Sequence, residues 1–327
     1  MAQVKLLSPT QYVREATTAV ETATTRVYLM SMVIGDHDAT KQLIDALKAA
    51  AKRGVEVHVA ADIFTYGEVS GGFLPFRYYS HGGRDTNRMA KSLKRAGVKF
   101  HWLGRGRITL WHGRTHNKWC VVDDIVFTFG GVNLYEEGVQ HIDYMFQHVD
   151  AHLADRIIEE QTRIQKAETR SVNYPSVAYE HGDMTVLIDG GIIGQSIIYR
   201  RAIELAETAE HITFVSQYCP TGRLSRTLKK KSSTLYYNRP LQAEGLNRIV
   251  IRISQFISGL KTQYTKARYL HAKFIIFSHA DGTKTAITGS HNFAYTGVLL
   301  GTREIALETK DPKVISQLET FIKNEVA

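Results

Sequence analysis

One short pattern occurs twice in the chain. His116-Asn117-Lys118 opens the stretch THNKWCVVDDIVFTFGGVN, and His271-Ala272-Lys273 opens LHAKFIIFSHADGTKTAITGSHN. Each His-x-Lys runs into an apolar segment and then into a glycine turn closed by asparagine: Gly130, Gly131 and Asn133 in the first copy, Gly289, Ser290 and Asn292 in the second. On a strand, residues i and i+2 point to the same face, so each motif sets an imidazole beside an ammonium. Such a repeat restricts the chain to folds made of two related halves, and it suggests one shared active site.

The repeat extends beyond the motifs. Residues 12–35, YVREATTAVETATTRVYLMSMVIG, and 197–220, IIYRRAIELAETAEHITFVSQYCP, both read as an apolar-striped helix running through Glu-Thr-Ala into a β-branched strand that reaches Ser31 or Ser216. The first half continues with a helix over 38–53, a strand VEVHVAADIF, a helix over 85–96 and a strand over Val98–Leu103. Strands alternating with helices imply an α/β fold in which each half is a mixed sheet flanked by helices, with functional residues at strand ends. The expected halves are residues 1–170 and 171–327, divided near Arg170–Tyr179, where SVNYPSVAYEHGD breaks an amphipathic helix. An insertion in the first half, GEVSGGFLPFRYYSHGGRD, carries Phe73, Leu74, Phe76, Tyr78 and Tyr79, which suit either a lipid interface or packing on the protein's own body.

No stretch approaches the roughly 20 apolar residues that span a bilayer, and the N-terminal MAQVKLLSPTQYVREA lacks the apolar run of a secretory signal. Cys120 and Cys219 do not form a disulfide framework. A cytoplasmic protein is expected, touching membranes peripherally if at all. The net charge of +9 and pI of about 9.4 come with basic residues at Arg105, Arg107 and Arg114, from Arg223 to Lys231, and at Lys261, Lys266 and Arg268. That excess favours an anionic partner, either a phospholipid or membrane surface or a nucleic-acid backbone.

A pair of imidazoles and a pair of ammonium groups suit a phosphodiester. One neutral histidine attacks phosphorus, the other protonates the leaving oxygen, and the lysines hold the non-bridging oxygens without need of a metal. At these residues the sequence resembles the phospholipase D superfamily, whose signature is His-x-Lys, four residues, Asp, then six residues and Gly-Gly/Ser-x-Asn. The first copy fits every position, with Asp123 as the motif acid; the second has Ser278 where the family has Asp, and an Asp281-Gly282 turn lengthens the gap to Gly289.

The resemblance implies a phospholipid phosphodiesterase or phosphatidyltransferase, similar to phospholipase D or cardiolipin synthase, that works through a covalent phosphohistidine with no cofactor. His116 is then the nucleophile and His271 the acid. Lys118, Lys273, Asn133 and Asn292 act on the phosphoryl oxygens, with Gly131 and Ser290 against the substrate. Each histidine also needs a carboxylate on its other ring nitrogen, and Asp143 and Glu304 are the acids found beyond the motif asparagines. Asp123 has a structural role at the turn before Asp124. Among other histidines, His112, His141, His148, His279 and His291 lack a spacing that points to a metal. The N-terminal membrane helices usual in bacterial cardiolipin synthases are not seen here, so a soluble enzyme is expected, and a monomer is plausible because both motifs lie in one chain. The alternatives are an endonuclease of the same superfamily, favoured by the high pI, and a non-catalytic phosphate-binding module.

Overall fold

In the computed structural model, which describes residues 4–70, 80–104 and 113–327, the two halves form two seven-stranded mixed sheets. The first contains β1 (Lys5–Leu7), β2 (Arg26–Ser31), β3 (Glu56–Asp62), β4 (Lys99–Leu103), β5 (Trp119–Val122), β6 (Ile125–Thr128) and β7 (Met145–Val149). The second contains β8 (Val177–His181), β9 (Met184–Gly190), β10 (His211–Val215), β11 (Ser232–Tyr236), β12 (Phe274–Ser278), β13 (Lys284–Gly289) and β14 (Arg303–Thr309). The aromatic insertion from Phe73 to Tyr79, Arg105, Arg107 and His112 lie outside the described residues.

The strand orders are β1-β7-β6-β5-β2-β3-β4 and β8-β9-β14-β13-β12-β10-β11, so the sheets correspond strand for strand from β1 and β9 to β3 and β11. Each sheet then adds one unmatched edge strand, β4 in the first and β8 in the second. β2, β3 and β4 run parallel, as do β10 and β11, and the remaining pairs are antiparallel. The parallel pairs are joined through helices Lys41–Lys52, His81–Arg95 and Gly222–Lys230, the crossover that a parallel pair requires. Helices start where the sequence supplies caps: Ser8 and Gln11 form a reciprocal capping box at Pro9–Thr22, and the Ser196 hydroxyl accepts from Tyr199 N at Ile197–Thr208. Each sheet buries its own apolar cluster, centred on Val27, Leu29, Val57, Val59 and Phe127 in the first and on Phe214, Ile275, Phe277 and Ile287 in the second.

By contacts the chain divides into two compact units. One takes residues up to Thr128 with Val132–Gln140 and Met145–Asn173; the other takes Tyr174–Ala327 and two short pieces from the N-terminal half, Phe129–Gly131 and His141–Tyr144.

Two local features add to the sequence reading. After the helix Ala151–Thr169 ends, the stretch around Tyr179 forms the β8–β9 hairpin, turned at Gly182 with φ 59°. The His-x-Lys residues lie just ahead of β5 and β12 and not inside them. The β2–β5 pairing ends with Met30 facing Trp119 and the β10–β12 pairing with Val215 facing Phe274, so the motifs lie just past those paired residues, and Gly289 N of β13 still donates to Lys273 O at 3.2 Å.

Asp123 closes the β5–β6 turn at φ 49°, a left-handed backbone that Asp and Asn tolerate better than most residues. Its carboxylate accepts from the backbone N–H groups of Thr24 (2.9 Å), Thr25 (2.9 Å) and Arg26 (3.0 Å) and from both threonine hydroxyls. Partial burial raises this carboxyl, but the Thr25 hydroxyl and the three N–H groups outweigh it and hold the group below the usual carboxylate range. Among the described residues the Ser278 side chain makes no such bond; its turn is closed locally by the Asp281 carboxylate, which accepts from Thr283 N (2.9 Å) and Thr283 Oγ1 (2.6 Å). Asp123→Ala should therefore destabilise the fold by about 1–3 kcal/mol and Asp123→Asn by less, as read by urea unfolding at neutral pH. Because the folded carboxyl is depressed, its contribution is present above the unfolded value of about 3.9 and fades as pH falls through the folded value. Equal stability of wild type and Asp123→Ala at pH 7 would remove this role.

Candidate active site

In the first unit the residues ahead of the motif are fixed by a buried ion pair. Arg114 Nη1 lies 3.0 Å from Asp62 Oδ1 at the end of β3, and Thr115 N donates to Asp62 Oδ2 at 3.4 Å. Burial drives the Asp62 carboxyl upward and Arg114 pulls it back, with a net rise. His116 follows, buried, and Lys118 Nζ donates back to the His116 carbonyl at 2.8 Å. The first motif thus places its ammonium under the backbone of its own histidine. Asn133 is buried beside Leu134, whose N–H donates to Val33 O at 3.0 Å. Among the described residues, Asn133 Oδ1 has no hydrogen-bond partner.

The second unit shows the histidine and its acid together. His271 Nδ1 stands 2.7 Å from Asp143 Oδ2, and Tyr144 N donates to Asp143 Oδ1 at 2.8 Å, so both carboxylate oxygens are engaged. The segment carrying Asp143 is stitched to the motif by backbone bonds: Ile142 N to Tyr269 O (2.9 Å), His271 N to Ile142 O (2.8 Å) and Ala272 N to Ile142 O (3.0 Å). Asp143, from the N-terminal half of the sequence, therefore serves the histidine of the C-terminal motif. Gly131 makes this approach possible. A Cβ there would fall 2.7 Å from Asp143 Oδ2 and 3.0 Å from the His271 carbonyl oxygen, closer than a side chain permits.

Lys273 is fully buried, and its Nζ donates to the His271 carbonyl, as Lys118 does in the first motif. Nζ also lies 3.1 Å from His271 Nδ1. Nδ1 cannot accept from Lys273 while donating to Asp143; the shorter, charge-assisted contact with the carboxylate wins, leaving the lysine on the carbonyl. Burial pushes the Lys273 ammonium below the ordinary lysine range, while Asp143 and Glu304 hold it partly up.

Glu304, on β14, is buried and accepts from Ser290 Oγ at 2.5 Å; the same hydroxyl accepts from Ile305 N at 3.0 Å. Ser290 and Gly131 are thus occupied in positioning the two acids. Gly289 allows β14 to come close, since a Cβ there would stand 2.2 Å from Ile305 O. Asn292 receives Ser216 Oγ on its carbonyl at 2.9 Å, while its side-chain Oδ1, like that of Asn133, has no hydrogen-bond partner among the described residues. At equivalent places in both motifs, then, a buried side-chain amide oxygen is left without a hydrogen bond among the described residues.

His141 was not singled out by the sequence, because its relation to the motif exists only in three dimensions. Its ring centroid lies 5.6 Å from that of His271 and 5.0 Å from that of Tyr269. Burial first, then the Lys273 and Arg268 charges, push it down to about 4, so it is neutral at physiological pH. Among the described residues no group of three or more His, Cys, Asp or Glu is arranged to hold a metal ion.

The chain matches the family model described as cardiolipin synthase, PLD-like domain, over residues 17–164 and 202–325, segments that contain His116 and His271 respectively. No curated protein sequence matches it. Among solved structures, it is similar to a phosphatidylserine synthase of Haemophilus influenzae Rd KW20, with a TM-score of 0.73 and 13% identity over 99% of this chain and 87% of that one. It is also similar to a polyphosphate kinase of Porphyromonas gingivalis, with a TM-score of 0.60 and 13% identity over 98% of this chain and 49% of that one. At these identities the two likenesses concern the fold. The match to the family model over both motif-bearing segments establishes that the chain belongs to the phospholipase D superfamily of enzymes, in its cardiolipin synthase-like family.

Proposed function

We propose that the protein is a phospholipid phosphodiesterase or phosphatidyltransferase that works through a covalent phosphohistidine and needs no metal ion. The observation that carries the reading is the buried Asp143–His271–Lys273 cluster, repeated in motif by His116 and Lys118. The cardiolipin synthase description of the matched family supports a lipid substrate over a nucleic acid.

In the first step the neutral His116 imidazole attacks phosphorus. A P–N bond forms, the P–O bond to the leaving alcohol breaks, and the alkoxide takes its proton from the His271 imidazolium. Asp143 holds Nδ1, so His271 gives and takes its catalytic proton at Nε2, and the carboxylate stabilises the imidazolium. In the second step water or an alcohol gives its proton to the now neutral His271 and attacks phosphorus, breaking the P–N bond and restoring His116. Lys118, Lys273, Asn133 and Asn292 hold the non-bridging oxygens through both steps.

His116→Ala and His271→Ala should each lower turnover of labelled phospholipids by about 1000-fold or more, with wild-type activity surviving EDTA and an acid-labile phosphoadduct mapping to His116. Cleavage of DNA or RNA in EDTA without headgroup release from any phospholipid would instead establish the nuclease reading.

Asp143→Asn should lower kcat by about 100-fold or more with little change in KM, because it leaves binding groups in place and removes support for the imidazolium. An unaltered kcat would exclude Asp143 from the chemistry.

The rate should follow a bell-shaped pH profile centred near the ordinary histidine value of about 6.5, since one imidazole must be neutral and the other charged. On the alkaline side a further loss is expected as Lys273 gives up its proton at a pH well below the usual lysine value of about 10.4. The ammonium is the acid form, so raising pH removes it. Lys273→Arg, permanently charged, should move that alkaline limb upward; a rate that climbs monotonically into strong alkali would contradict this assignment.

A further inference from the structure

The helix Gly245–Ser258 wears its apolar stripe on the outside. Ile249, Ile253, Phe256 and Ile257 are 55, 53, 89 and 67% exposed, and together with the exposed Arg252 they occupy positions i, i+3, i+4, i+7 and i+8 of one face. The opposite face buries Ile251, Ser254 and Ser258. An amphipathic helix on a water-soluble body normally does the reverse. Leu241, 90% exposed, extends the patch just ahead of the helix.

The charge around this stripe is mainly of one sign, with Glu244 at the N-cap as an exposed acid. The helix carries Arg248 and Arg252 and no Asp or Glu. The neighbouring helix Gly222–Lys230 adds exposed Arg226, Lys229 and Lys230, and Lys229 Nζ would stand 3.5 Å from a Cβ on Gly259, at the end of the apolar helix. A chain of contacts also joins this helix to the catalytic cluster of the same unit. Asn247 Oδ1 accepts from Tyr218 OH at 2.6 Å, and Gln217 Nε2 donates to Tyr218 OH at 2.9 Å and to Tyr269 OH at 3.0 Å; the Tyr269 ring meets His141, and His141 meets His271.

From the outward apolar stripe, its predominantly basic border and its connection to His271, we infer that Gly245–Ser258 is an interfacial helix that docks the enzyme on an anionic phospholipid surface. Three isoleucines and a phenylalanine enter the boundary between headgroups and acyl chains, while the flanking arginines and lysines meet lipid phosphates. A second copy of the chain fits less well, because a symmetric pairing through this face would bring its basic border near its own image. A polynucleotide would meet the cations, but three of the four apolar side chains are isoleucines and Phe256 alone gives a base a ring to stack on, short of the successive aromatics that track a strand. The inference deepens the proposed lipid reaction and rests on that reading for its biological purpose.

The test uses the full chain and sedimentation with vesicles of phosphatidylcholine alone or mixed with phosphatidylglycerol. Wild type should sediment with the anionic vesicles, and the double variant Phe256→Ser, Ile257→Ser should bind them at least about tenfold more weakly with an unchanged unfolding midpoint. Arg252→Glu should weaken binding and reduce its salt sensitivity. In the double variant, turnover of vesicle-embedded phospholipid should fall relative to turnover of a dispersed short-chain phospholipid. Wild type that ignores anionic vesicles, a double variant that binds them equally well, or a wild-type dimer that the double variant dissociates would each overturn the docking role. If binding depends on the helix but no phospholipid is turned over, docking stands and the proposed substrate fails; if phospholipid is turned over while the substitutions leave binding unaltered, docking fails and the substrate stands.

Discussion

The second unit is organised around a charge problem: an ammonium, Lys273, is held entirely out of water. Such a group is tolerated only when its charge is answered nearby. Here the answer is distributed over the His271 carbonyl, which receives a hydrogen bond, and the carboxylates of Asp143 and Glu304, which act through space. Each of those acids is itself satisfied, Asp143 by His271 and Tyr144 N, Glu304 by Ser290. The result is a set of ionisable groups whose protons are coupled, because moving one alters the electrostatic cost of the others. In the proposed reaction, which passes a proton to a leaving oxygen and retrieves one later, that coupling is an advantage.

Meeting the charge requirement dictates backbone choices. Asp143 can reach His271 only because Gly131 leaves room for its carboxylate, and Glu304 comes under Ser290 only because Gly289 lets β14 approach. The glycines of the motif turns therefore do their visible work behind the site. The same logic explains why a serine can stand at position 278. Asp123 ties three N–H groups of a preceding loop to its turn, and where the second half closes the corresponding turn with Asp281, a motif acid has nothing left to tie.

Much of this was legible in the sequence. The duplicated His-x-Lys and the paired helix-to-strand segments gave the two mixed sheets, because strand and helix periodicities are local properties of the chain. Which histidine Asp143 would serve was not legible. Its place ten residues past Asn133 suggests the motif that precedes it, whereas the backbone bonds of Ile142 to Tyr269, His271 and Ala272 join segments more than a hundred residues apart, and no periodicity reports such pairing. His141 escaped for the same reason. The edge strand β8 was hidden by a proline and a glycine turn that read as a linker.

The helix Gly245–Ser258 shows a different limit. Its apolar spacing is plain in the sequence, but periodicity gives the existence of a stripe and not the direction in which the stripe looks. Inward is the usual direction, since apolar area removed from water is the main source of folding free energy. Here the body instead takes Ile251 and the hydroxyls of Ser254 and Ser258, the latter placed 2.8 Å from Cys219 Sγ. A helix held through Ile251 and two serines leaves its wider apolar face outward, which is what the inferred docking uses. The stabilisation forgone in folding is then recoverable on association, which is the thermodynamic signature expected of an element that works at an interface.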